Sequence, residues 1–148
     1  MDERLNFLYP KAELIYYLEI ADIKPISLNH MYPTNFKTGR RYISPEGETY
    51  KQHIAILLAS DINKRRLNHL FDIKDPLALY IDFLGADLFY KNGKLKKQDV
   101  SNFIKPVEDA ISKFFNFDDS QNFEVHVRKI SSSSFKIKIA LFKLFEIF

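Results

Sequence analysis

Residues 99–121 read DVSNFIKPVEDAISKFFNFDDSQ, and the architecture follows from them. Val100, Phe103, Ile104, Val107, Ala110, Ile111 and Phe114 recur at the helical period of about 3.6 residues. Asn102, Lys105, Asp109 and Asn116 lie on the opposite face, so the spacing predicts an amphipathic helix over 99–115. Pro106 has no N–H to donate to the Asn102 carbonyl. A kink there, or a helix start two or three residues after Asp99, is therefore expected.

Strands flank this helix. Upstream, Leu77, Leu79, Ile81 and Phe83 alternate through 77–84. Downstream, Phe123, Val125 and Val127 alternate with Glu124, His126 and Arg128. Phe135, Ile137, Ile139 and Leu141 then alternate with Lys136 and Lys138. The serine run 131–134 reads as the turn of a hairpin between the last two strands.

Toward the N-terminus, 13–20 (ELIYYLEI) is β-branched and aromatic and reads as a strand. Residues 24–38 read as an extended loop, and 39–43 as a short strand or hairpin arm. Ser44-Pro45 starts a helix, with Ser as N-cap and Pro in the first turn. Tyr50, Ile54, Leu57 and Leu58 carry it into the low sixties, where Lys64, Arg65 and Arg66 close it. The order β-(β)-α-β-α-β-β predicts an α+β fold, a mixed β-sheet with two main helices packed on one face. The apolar tail 141–148, LFKLFEIF, reads either as a core-docked segment or as a subunit interface.

Composition bounds the function. A chain of 148 residues without repeats reads as a single domain, 1–148. With 46% hydrophobic and 28% charged residues, wholesale disorder is excluded. Cysteine is absent, which removes disulfides, thiolate metal sites and a cysteine nucleophile and suits a cytoplasmic location. No glycine-rich phosphate loop occurs, and the four histidines lack zinc spacing. No secretory signal or membrane span is visible, so no membrane partner is expected.

The chemistry sits at the ends of the central helix. Asp99 stands at its start, Asp118 and Asp119 beyond its end, and Lys105 between them. Clustered carboxylates suit a hard cation such as Mg²⁺. Such an ion, with a nearby lysine, serves phosphodiester hydrolysis. The same residues also read as a helix-start acid, a turn and a solvated i,i+4 pair between Lys105 and Asp109. The cations Lys91, Lys94, Lys96 and Lys97 form an acid-free run that suits DNA phosphates. Arg40 and Arg41, the run 64–66, and Arg128 with Lys129 are further candidates, and His30 is a possible DNA contact. Phe89 and Tyr90 read either as core residues, at least one of them, or as side chains that stack on unpaired bases.

The run Asp99, Ser101, Asn102, Lys105, Asp109, Ala110, Asp118, Asp119, Gln121 resembles the motif of RusA-type Holliday junction resolvases. Supporting likenesses are Lys24-Pro25 with Leu28-Asn29 and Tyr32, and RRYISPEGETY at 40–50. The likeness spans 14–141. It implies a homodimeric crossover junction endodeoxyribonuclease acting with Mg²⁺ or Mn²⁺ on four-way DNA junctions in recombination and repair. It maps metal ligation onto Asp99, position 101 and Asp119 and the catalytic lysine onto Lys105; Asp118 precedes the last ligand, and Ser101 through a bound water and Asp118, or a DNA phosphate oxygen, are read as completing the metal shell. Position 101 is serine where the family motif has aspartate, which leaves a junction-binding relative with weak or no cleavage as an alternative. A non-enzymatic α+β interaction domain is the other. The nuclease reading requires Asp99 and Asp119 to converge on one site.

Overall fold

The computed structural model describes residues 11–85, 91–97 and 99–145. Its elements are β1 (Lys11–Ala21), α1 (Leu28–Met31), α2 (Pro45–Arg65), β2 (Leu77–Gly85), α3 (Ser101–Phe115), β3 (Asn122–Ser131) and β4 (Lys136–Phe145), with short 3₁₀ turns at Asn68–Leu70 and Asp119–Gln121.

The helix boundaries follow from local chemistry. Extended Ser44 caps α2, its Oγ accepting from the Gly47 N–H at 3.0 Å, and Pro45 opens the first turn. Glu46 and Glu48 sit in that turn and Lys64 and Arg65 in the last, matching the macrodipole. α3 begins two residues after Asp99 and runs through Pro106. The later-start expectation is therefore the one realised. Asn116, left-handed at φ 57°, ends the helix.

α1 lies across the start of α2, and only glycine fits at the crossing. A Cβ on Gly47 would stand 2.9 Å from Met31 Cγ and 3.0 Å from the Met31 carbonyl oxygen. We expect Gly47→Ala to cost about 1–3 kcal/mol through overpacking. A lower urea midpoint with an unchanged slope is the reading that checks it.

The sheet order is β1-β4-β2-β3. β2 and β3 are parallel, and β4 is antiparallel to both β1 and β2. The α+β class with a mixed sheet is thus as expected, but the terminal hairpin is not. β3 and β4 do not pair; β2 lies between them. The cause is burial. Ile137, Ile139 and Leu141 are buried on the helix side of β4, and Phe142 and Leu144 on the other. A strand apolar on both faces belongs inside the sheet. Gly85 permits the crossing over the end of β2, since a Cβ there would meet the Phe135 ring at 2.7 Å. Residues 39–43 form no named strand; of the two readings the hairpin arm is the one realised, as a tight turn with one antiparallel bridge, Thr34 to Arg41.

The core joins Ile54, Leu58 and Ile62 of α2 and Val107, Ile111 and Phe115 of α3 to Leu79, Ile81, Phe83, Ile137 and Ile139 of the sheet. Leu141 to Phe145 of the apolar tail continue β4, which decides that part in favour of docking. Residues 146–148 lie outside the described residues.

Candidate active site

While α3 turns its apolar stripe to the sheet, Ser101, Lys105, Glu108 and Asp109 share the other side at i, i+4, i+7 and i+8. Lys105 Nζ is 2.9 Å from Asp109 Oδ1 and 3.6 Å from Glu108 Oε1. It also donates a hydrogen bond to Asp119 Oδ2, from the turn beyond the far end of the helix.

The return of Asp119 has a local cause. Left-handed Asn116 stops α3, buried Phe117 anchors the reversal, and its N–H bonds the Ser112 carbonyl at 3.0 Å. Asp118 and Gln121 then form a reciprocal capping box. The Ser120 N–H donates to Asp118 Oδ1 at 2.8 Å, and the Asp118 N–H to Gln121 Oε1 at 2.9 Å. The Gln121 amide donates onward to the carbonyls of Ile73 and Asp75. Asn122 Nδ2 donates to Glu108 Oε2 at 3.0 Å, and the Tyr32 hydroxyl to Asp109 Oδ2 at 3.1 Å.

Three carboxylates thus surround one ammonium, an excess of negative charge that a phosphate-bearing substrate would meet only with a cation in place. Partial burial alone would lower the Lys105 pKa. Hydrogen bonds to Asp119 and Asp109, and the field of both carboxylates, outweigh it and hold the ammonium above the ordinary lysine range. Burial, then repulsion from Asp119, raises the Glu108 carboxyl. Burial, then Asp109, raises the Tyr32 phenol. Hydrogen bonding from Ser120 lowers the Asp118 carboxyl.

The all-oxygen donors Asp119, Asp109 and Glu108 fit the chemistry of a hard divalent cation. Among the described residues, however, no group of three or more His, Asp or Glu is arranged as a metal cage, and the Lys105 ammonium occupies the point of convergence. Asp99 is exposed just before α3, and among the described residues its side chain joins no hydrogen bond or ion pair; Asp119 meets Lys105, and the convergence asked of Asp99 and Asp119 shows no contact between the two. Ser101 is exposed on the first turn. Asp118 is engaged in holding the turn. We expect Asp118→Asn, which keeps the cap and removes the charge, to retain cleavage within about threefold of the parent in a nicking assay; a loss like that of an Asp119 variant would make Asp118 a ligand instead.

The model of the endodeoxyribonuclease RusA family matches residues 22–141. The chain belongs to the RusA family. Its members are DNA endonucleases, so the chemistry above is read as hydrolysis of DNA phosphodiester bonds. The match contains the whole Lys105 cluster and the segment with Tyr32. No curated protein matches the chain. Among the described residues no helix is long and apolar enough to cross a membrane.

Against this RusA frame the basic residues divide. Lys91, Lys94 and Lys97 are exposed on one turn, and Lys96 is half-buried. Arg40 and Arg41 lie on the turn after α1. His30 lines a cavity of about 770 Å³ with Lys24, His53, Tyr50, Phe103 and Lys129. Arg65 instead bonds Asp61 at 2.6 Å and the Tyr17 carbonyl at 2.8 Å, and Arg128 grips Asp82 on the neighbouring strand through two hydrogen bonds. Phe89 and Tyr90 lie outside the described residues. Glu108 escaped the sequence reading, although it stands three residues from Lys105. Tyr32 entered it only through the resemblance, because its link to Asp109 spans 77 positions.

Proposed function

We propose that the protein is a structure-selective endonuclease that cuts four-way DNA junctions by paired hydrolysis, with Mg²⁺ or Mn²⁺, as a homodimer in recombination and repair. The observation that carries the reading is the pairing of Lys105, in the second turn of α3, with Asp119 from beyond its C-terminal end, within a chain of the RusA family. Asp119 and Asp99 are the proposed metal ligands, with Ser101 holding a bound water and Asp118 fixing the turn beside them. A divalent ion held there supplies Lewis-acid polarisation of the phosphodiester. Lys105 sets a positive charge where the phosphorus oxygens gain negative charge. Asp109 and Tyr32 orient that ammonium. Lys91, Lys94, Lys96, Lys97, Arg40, Arg41 and His30 contact the phosphate paths. A two-fold dimer would present one site to each of two equivalent strands.

The test is incubation with a synthetic four-way junction and Mg²⁺ or Mn²⁺ beside linear duplex. Paired nicks on the junction alone, abolished by EDTA, support the proposal. Retention of the junction without nicks supports the binding-only reading that Ser101 allows. Neither outcome on the junction returns the interaction-domain reading.

A further inference from the structure

The segment 33–42, PTNFKTGRRY, is a projecting turn closed by its own backbone. The Asn35 N–H bonds the Arg40 carbonyl at 2.8 Å, the Gly39 N–H bonds the Asn35 carbonyl at 2.7 Å, and the Tyr42 N–H bonds the Pro33 carbonyl at 3.1 Å. Gly39 takes the left-handed conformation, φ 70°, that the reversal needs. Asn35 Oδ1 also accepts from the Lys37 N–H at 2.9 Å. At the tip Phe36 is 99% exposed, and Tyr42 is half-exposed near the root. A phenyl ring in water forfeits the burial that drives folding, so the fold itself has no use for it at this place.

Two features say what would cover it. The charge is one-sided: Lys24, Lys37, Arg40 and Arg41 fall within 24–45, which holds no acid. The root is tied to the Lys105 cluster, because Tyr32 immediately precedes the turn and bonds Asp109. Phe36 follows Tyr32 by four positions, a Cα-to-Cα reach of at most about 14 Å. Along one DNA strand that is about four nucleotides at roughly 3.4 Å each.

We propose that Phe36 stacks on an unpaired nucleobase at the branch point, within a few nucleotides of the phosphate cut beside Lys105, while Lys37, Arg40 and Arg41 bind the flanking phosphates. This rests on the junction-nuclease reading. It makes Phe36 a determinant of selectivity for branched over linear DNA, since only a branch offers an open base without the work of unstacking one.

The chain has no tryptophan, so the Phe36→Trp protein carries one indole, at the tip. Its fluorescence is titrated, in EDTA, with four-way junction and with linear duplex of the same length. Cleavage in Mg²⁺ is followed in parallel for the parent, Phe36→Trp and Phe36→Ala. We expect strong quenching by junction and little by duplex. Phe36→Trp should cut within about twofold of the parent, and Phe36→Ala at least about tenfold slower, with duplex affinity unchanged. Absence of quenching together with parent-like cutting by Phe36→Ala overturns the inference and leaves the nuclease reading standing. A fluorescence change that follows protein concentration without DNA assigns the tip to a second copy of the chain and also overturns it. A parent that neither binds nor cuts junctions removes both readings.

Discussion

Asp119→Asn should yield a protein that still binds a four-way junction and does not cut it. The substitution keeps the size of the side chain and its place on the 3₁₀ turn, but removes the charge that pairs with Lys105. The loss of one charged group that acts on the transition state is worth about 3–4 kcal/mol, or on the order of 10²–10³ in rate. Folding should barely notice. The two side chains are 43% and 38% exposed, and such ion pairs contribute about 0–1 kcal/mol. Lys105 also keeps Asp109, so its ammonium stays on the face of α3. Single-turnover cleavage and gel retardation on the same preparation separate the two effects. Asp99→Asn, at the other proposed ligand, should likewise bind the junction without cutting it. Parent-rate nicking by purified Asp119→Asn would refute the assignment of this site.

Phe115→Ala should produce the largest loss of stability. The ring is fully buried and packs edge-on against Tyr16 at 5.3 Å and Phe114 at 5.0 Å, and tilted against Phe71 at 5.7 Å. Removing it leaves a cavity among stiff aromatic walls that cannot collapse into it. The cost is about 3–5 kcal/mol, a large share of the roughly 5–15 kcal/mol that holds a domain together. A fall in melting temperature of about 10 °C or more is expected by scanning calorimetry. A change below about 1 kcal/mol would contradict the packing described. Phe115 also precedes the Asn116 reversal, and its carbonyl accepts from the Asp72 N–H at 3.0 Å. Cleavage should therefore decline well below the melting transition, as the turn that returns Asp119 loosens.

Much of the fold was legible because each cue was local. Ser44-Pro45 announces α2 through its own capping chemistry, and the apolar stripe of α3 survives Pro106. The alternation in 77–84, 123–127 and 135–141 marked three strands. Their pairing was not local. A serine run between two strands suggests a hairpin, yet the connection from β3 to β4 passes over the end of β2, because the two apolar faces of β4 demand a central place and Gly85 leaves room for Phe135. The site divides in the same way. Asp109 falls within reach of Lys105 by helical spacing, and so does Glu108. Tyr32 does not, since nothing in the spacing of the chain ties it to α3.

From the residues alone came the α+β class, the amphipathic helix with Lys105 on its polar side, the paired aspartates beyond its end, and the cation-rich segments around them. These are matters of period, capping and composition, which act over a few residues. Tertiary structure alone decided that Asp119 comes back to Lys105, that Tyr32 braces Asp109, that β4 enters the sheet between β1 and β2, and that Phe36 is left facing water. Each of those depends on which buried surfaces match across the molecule, and distant surfaces meet only when the chain has folded.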